Sequence, residues 1–217
     1  MYLIPAPRRE SVRYLRVNSQ AQGAGWTNRA LTTLRITPTT VVSVGLVCGV
    51  ASPIVAKEGE KWIAAGAFLV LITVGCDRLY SMAVSPVVQA SRRSLVFVPL
   101  SARLTEAAWL YGFWKLGVPP GVVIAAGALS LGHEYIRARG QIAGLRDIGI
   151  STLGERPGRA LTALAGYGVS GAVALTSTSM TAGLTTGILT MAATAWLLLA
   201  VLGFVQLAIV LSAALRK

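Results

Sequence analysis

Seven ionisable side chains, Asp77, Arg103, Glu106, His133, Glu134, Arg137 and Arg139, fall at the ends of apolar segments, and Arg156 and Arg159 follow in the next polar stretch. A carboxylate in such a place can ligate a hard cation or take up a proton. A guanidinium offers a planar fork of donors that fits phosphate oxygens. Ionisable groups at membrane depth are costly, and they face a cavity or one another. Three helix ends carrying these groups would converge on one polar pocket beside the membrane surface. Tyr80 and Ser81, just after Asp77, would join it. Such a pocket suits chemistry that joins a water-soluble headgroup to a lipid tail. The same charges also read as snorkelling or capping groups at helix ends and as contacts to anionic lipid.

The elements that must position these residues are membrane helices. The chain has 217 residues, 54% hydrophobic and 13% charged, a balance that suits a membrane protein. Six apolar segments run approximately over Val41–Ala56, Trp62–Cys76, Val96–Leu116, Gly121–Ile136, Ala160–Met180 and Thr186–Leu215. A span takes about 20 residues to cross about 30 Å of hydrocarbon. Backbone groups in lipid must be satisfied internally, so these segments are predicted as helices. The short alternating strands of a transmembrane barrel are not seen. The predicted class is all-α and polytopic, with six transmembrane helices over residues 38–217.

Seventeen of the 20 Lys and Arg residues fall on one side of these segments, leaving Lys57, Lys61 and Lys115 on the other. The positive-inside rule then puts both termini and the polar pocket on the cytoplasmic side, and the excess of Arg over Lys, 16 to 4, points to a GC-rich bacterial genome and hence a bacterial inner membrane. Residues 26–37, with Trp26, Ala30, Leu31 and Leu34 at helical spacing, predict an interfacial amphipathic helix. Residues 1–25 read as a flexible basic tail without a secretory signal. The net charge of +12 sits between apolar runs, so it points to headgroups or phosphate and not to nucleic acid. Cys48, Cys76 and His133 lack metal-ligand spacing and read as buried structural residues. Charges clustered at one leaflet argue against a small transporter, whose polar groups would lie at the midplane. Gly166, Gly168, Ser170 and Gly171 in the fifth segment predict close helix contact.

Three pieces of sequence carry a family resemblance. They are Thr37-Pro38-Thr39 through Gly45, Arg103-Leu104-Thr105-Glu106-Ala107, and Gly132-His133-Glu134-Tyr135-Ile136-Arg137-Ala138-Arg139 followed by Gly154-Glu155-Arg156-Pro157-Gly158-Arg159. Together they resemble the CDP-alcohol phosphatidyltransferases over about residues 28–215. The resemblance implies a six-span fold, a dimer and a role in phospholipid metabolism. It implies a membrane phospholipid, a CDP-linked lipid or a phosphorylated alcohol as partner. The family's four motif aspartates bind divalent metals, and the last is thought to deprotonate the attacking alcohol. Anchored on Asp77, the motif's register puts Tyr80 at the second Asp and Ser81 at the first Gly. It puts Val98 at the third Asp and Ala102 at the fourth, with Arg103 in place.

One carboxylate with nearby hydroxyls is a poor magnesium or manganese site. The expectation is therefore a degenerate member without a cofactor, which binds lipid or phosphate through Arg137, Arg139, Arg156 and Arg159. It would act as a homodimer or as the partner of an active paralogue. The alternative is an active transferase with magnesium or manganese in a rebuilt site. There Asp77 would hold metal and Glu106, one turn beyond Ala102 on the same helix face, would act as base, with Glu134 nearby.

Overall fold

The computed structural model describes residues 37–83, 94–143, 154–176 and 181–215. The expected basic tail over residues 1–25 and nearly all of the interfacial helix over 26–37 lie outside these residues. The described residues form six α-helices and no strands: α1 (Pro38–Ala56), α2 (Trp62–Ala83), α3 (Ser94–Lys115), α4 (Pro120–Ile142), α5 (Arg156–Thr176) and α6 (Thr181–Leu215).

Local chemistry sets the helix ends. Thr37 caps α1, its hydroxyl accepting from the Thr40 N–H at 3.2 Å, and Pro38 takes the first turn where no N–H is needed. Gly59, at φ +148°, turns the chain into α2. Gly117, at φ +98°, and Pro119-Pro120 turn α3 into α4. The Thr186 hydroxyl on α6 pins that turn by donating to the Leu116 carbonyl at 3.0 Å.

α1 packs against α2 and α3, α2 against α5, α5 against α6, and α6 against α4. α3 closes this circuit towards α4 and reaches its centre. Trp109 and Phe113 of α3 are fully buried there with Tyr167 of α5 and Trp196 of α6. The Tyr167 hydroxyl donates to the Trp109 carbonyl at 3.2 Å, and its ring lies 5.1 Å from that of Phe113. Small residues let the helices close in as expected for the fifth segment. A Cβ on Gly171 would lie 2.6 Å from the Ala64 Cα, and one on Gly166 would lie 2.8 Å from the Ala192 Cβ. Gly168 faces open space instead.

Three described helices, α1, α2 and α6, are long and apolar enough to cross a membrane, which marks the chain as a membrane protein. α6 has 35 residues and is about 50 Å long, more than the hydrocarbon thickness. α3, α4 and α5 carry the candidate charges other than Asp77, which lower their apolarity. Their outer faces are nonetheless apolar: Leu100, Ile124, Leu131, Leu161 and Leu175 are all more than half exposed.

The helices overrun the apolar segments at the charged end. α2 continues seven residues past Cys76 and α4 six residues past Ile136, while α5 starts four residues before Ala160. Asp77 and Arg156 were expected at the edge of loops, yet both are helical. The physical reason is that charges satisfied across helices no longer oblige the chain to leave the bundle.

Candidate functional site

Asp77 near the end of α2, Arg103 and Glu106 in α3, Glu134 and Arg137 in α4, and Arg156 and Arg159 in the first turn of α5 all meet at one end of the bundle. Their contacts make two linked units. In the first, Glu106, Arg103, Glu134 and Arg159 form a closed ring of alternating charge. Arg103 Nη1 lies 2.8 Å from Glu106 Oε2 and 3.6 Å from Glu134 Oε1; Arg159 lies 2.5 Å from Glu134 Oε1 and 3.5 Å from Glu106 Oε2. In the second, Arg156 Nε and Nη2 both donate to Asp77 Oδ2, at 3.0 and 2.6 Å. Arg156 Nη1 reaches the Thr105 hydroxyl at 3.3 Å and lies 3.9 Å from Glu106 Oε1, joining the units. Arg137 pairs with Glu155 at 2.6 Å.

Two members of the ring are buried, while Arg103 and Glu134 keep 19% and 32% of their side chains exposed and line a cleft. Arg159 is fully buried and Glu106 is 3% exposed. The α4 residues around Arg159 complete its seat: Nη1 donates to the Ser130 carbonyl at 3.3 Å, and the Ser130 hydroxyl accepts from Trp196 Nε1 of α6 at 3.1 Å. His133 is fully buried beside it, with Nδ1 3.8 Å from Glu134 Oε1. Buried ion pairs of this kind roughly break even against apolar packing. Removing one partner, however, leaves an uncompensated charge. Arg159, expected at the headgroup, lies fully buried within the ring. Arg139 is exposed at the end of α4, outside the ring.

Two clefts open on either side of the Asp77–Arg156 pair. One, of about 370 Å³, is the more polar; Tyr80, Ser81, Val98, Ala102, Arg103, Glu134, Arg137 and Glu155 line it along with the pair. The other, of about 480 Å³, lies between α2 and α5, and its walls include Val74, Ala160, Leu161 and Leu164. The positions that the motif register assigned to the first, second, third and fourth aspartates, 77, 80, 98 and 102, therefore all face the polar cleft. The helices hold the register's geometry while three of its carboxylates are replaced.

That donor set does not fit a divalent cation. Asp77 Oδ2 already accepts from two Arg156 nitrogens, Val98 and Ala102 bring no oxygen, and Glu134 and Glu155 are held by arginines. Magnesium and manganese favour several carboxylate or other oxygen ligands. Among the described residues, no group of three or more His, Cys, Asp or Glu side chains is placed to hold a metal ion.

Thr105 and Glu155 belong to the site but carried no signal of their own in the sequence. Thr105 was legible only as the neighbour of Glu106, and Glu155 only as part of the Glu-Arg-Pro run.

Among solved structures, the chain is similar to the phosphatidylinositol phosphate synthase of Mycobacterium tuberculosis, determined in complex with manganese and citrate. The match has a TM-score of 0.65 and 24% identity over 85% of this chain and 86% of that one. The two share a fold. No model of a known sequence family matches the chain, and no curated protein sequence matches it.

Proposed function

We propose that the chain is a six-span membrane protein of phospholipid metabolism with the fold of the CDP-alcohol phosphatidyltransferases. It binds a phosphate-bearing lipid headgroup or phosphorylated alcohol and does not transfer it. The observation that carries this reading is the junction of the two clefts. The more polar cleft, holding Arg137 and Arg156, meets a groove whose wall is apolar along Val74, Leu161 and Leu164 and also includes Arg78 and Ser81, with the Asp77–Arg156 pair in the wall of both. An amphipathic ligand, with phosphate on one side and an acyl chain on the other, matches that shape. The fold shared with a phosphatidylinositol phosphate synthase supports the substrate class.

The degenerate reading is supported by the donor set. The family chemistry needs metal to offset pyrophosphate charge and polarise phosphorus, and this cleft offers too few unpaired oxygens. Glu106 is a poor replacement base, because it is buried against Arg103 and Arg159. The apolar outer faces of α3, α4 and α5 support six spans, with the charged end towards the cytoplasm of a bacterial inner membrane. A homodimer, or a heterodimer with an active paralogue, is the expected assembly.

The test is a CMP-release assay on purified protein with CDP-diacylglycerol, candidate alcohols, and magnesium or manganese. This reading expects no release above a protein-free control. Release abolished by Asp77→Asn or Glu106→Gln would establish the active transferase instead.

A further inference from the structure

We propose that the Arg156 guanidinium is the resident cation of the polar cleft. It stands where a divalent ion would have to join Asp77 to an incoming phosphate, so the cleft takes a phosphate ester without metal. The inference rests on the phosphate-binding reading above and specifies how the charge is met.

Arg156 spans the cleft from α2 to α3. Two nitrogens engage Asp77 Oδ2, and the third reaches Thr105 Oγ1 at 3.3 Å. Its side chain stays 19% exposed, so it is accessible from the clefts it lines. A divalent ion at Asp77 would compete with this guanidinium for the same carboxylate, and the two cations would repel at such separations. Opposite Asp77, Val98 and Ala102 give the ion nothing to bind. Arg137, 24% exposed and held by Glu155, lines the same cleft as a second planar donor. An arriving phosphate therefore exchanges with Asp77 for Arg156, a charge-assisted contact for which arginine is well shaped.

This arrangement reverses the role of the carboxylate. In a metal site, Asp77 would strengthen phosphate binding by holding the ion. Here it is a rival of the phosphate, and neutralising it strengthens binding.

The experiment uses the full chain in detergent, with glycerol 3-phosphate and dihexanoyl phosphatidic acid as probes, measured by calorimetry. Binding is expected in EDTA, unchanged when manganese replaces the chelator. Asp77→Asn is expected to tighten it about tenfold, and Arg156→Gln to weaken it about tenfold or more. Tighter binding of phosphatidic acid assigns the ligand to the lipid; equal binding assigns the recognition to phosphate alone. Thermal unfolding of each variant checks its fold, and Asp77→Asn decides the matter by itself should Arg156→Gln not fold. Binding that requires manganese, or that Asp77→Asn weakens, would overturn the resident-cation inference and leave a phosphate-binding cleft standing. Binding of neither probe under any condition would overturn both.

Discussion

Glu106 of α3 and Arg159 of α5, 53 positions apart in sequence, meet inside the bundle with 3.5 Å between carboxylate and guanidinium, both almost fully removed from solvent. Their contact closes the charge ring, whose Arg103 and Glu134 line the polar cleft, and fixes the first turn of α5, which carries Arg156. The ring is thus the support on which the cleft is built.

Removing one member of the ring leaves an uncompensated charge. Arg159→Met is expected to lower stability by about 3–5 kcal/mol. Replacing Glu106 and Arg159 together with leucines is expected to cost less than the two single changes added together. Thermal unfolding in detergent measures both. Equal and additive losses would show that the pair is not coupled.

The outer pairs behave differently. Asp77 and Glu155 side chains are 34% and 25% exposed. Glu155→Gln is expected to change stability by about 1 kcal/mol or less, as for partly solvated ion pairs. The same unfolding assay tests this, with a loss as large as that of Arg159→Met as the contrary outcome.

Much of this layout was legible before the structure. The apolar segments located the six helices of the described residues, and the convergence of Asp77, Glu106 and Glu134 followed from charges at the ends of three segments, with Arg156 joining them through the family resemblance. The partners within the cluster were not legible. Nothing in the spacing of Glu106 distinguishes Arg159 from Arg137 or Arg139 as its mate, because that choice depends on how α3 and α5 pack. Arg159 looked like a ligand-facing residue for the same reason: burial is set by Ser130, His133 and Trp196 from other helices. The apolar segments stop short of the helix ends at Cys76, Ile136 and Ala160, since hydropathy treats a charge paired across helices as though it faced water.

Close packing at the far side of the core gives a further prediction. A Cβ on Gly112 would collide with the Tyr167 hydroxyl and come within 2.7 Å of the Pro53 Cβ. Gly112→Ala is expected to destabilise the protein by about 1–3 kcal/mol through overpacking. Tyr167→Phe should recover part of that loss by removing the colliding oxygen. An undiminished melting temperature in Gly112→Ala would refute the packing.

The proposed six-span topology makes a separate prediction. With Cys48 and Cys76 replaced by alanine, a cysteine at Arg139 and one at Lys115 should label from opposite faces of the membrane. A membrane-impermeant maleimide applied to intact cells and to inverted vesicles reads this directly. Labelling of both from one face would contradict six crossings.

The most direct test of the cleft's character is a manganese titration of the full chain followed by electron paramagnetic resonance. A cleft whose carboxylates are already held by arginines predicts no saturable manganese site, with the signal of free aqueous ion growing in proportion to the amount added. One or two manganese ions bound per chain, and released by Asp77→Asn, would contradict it.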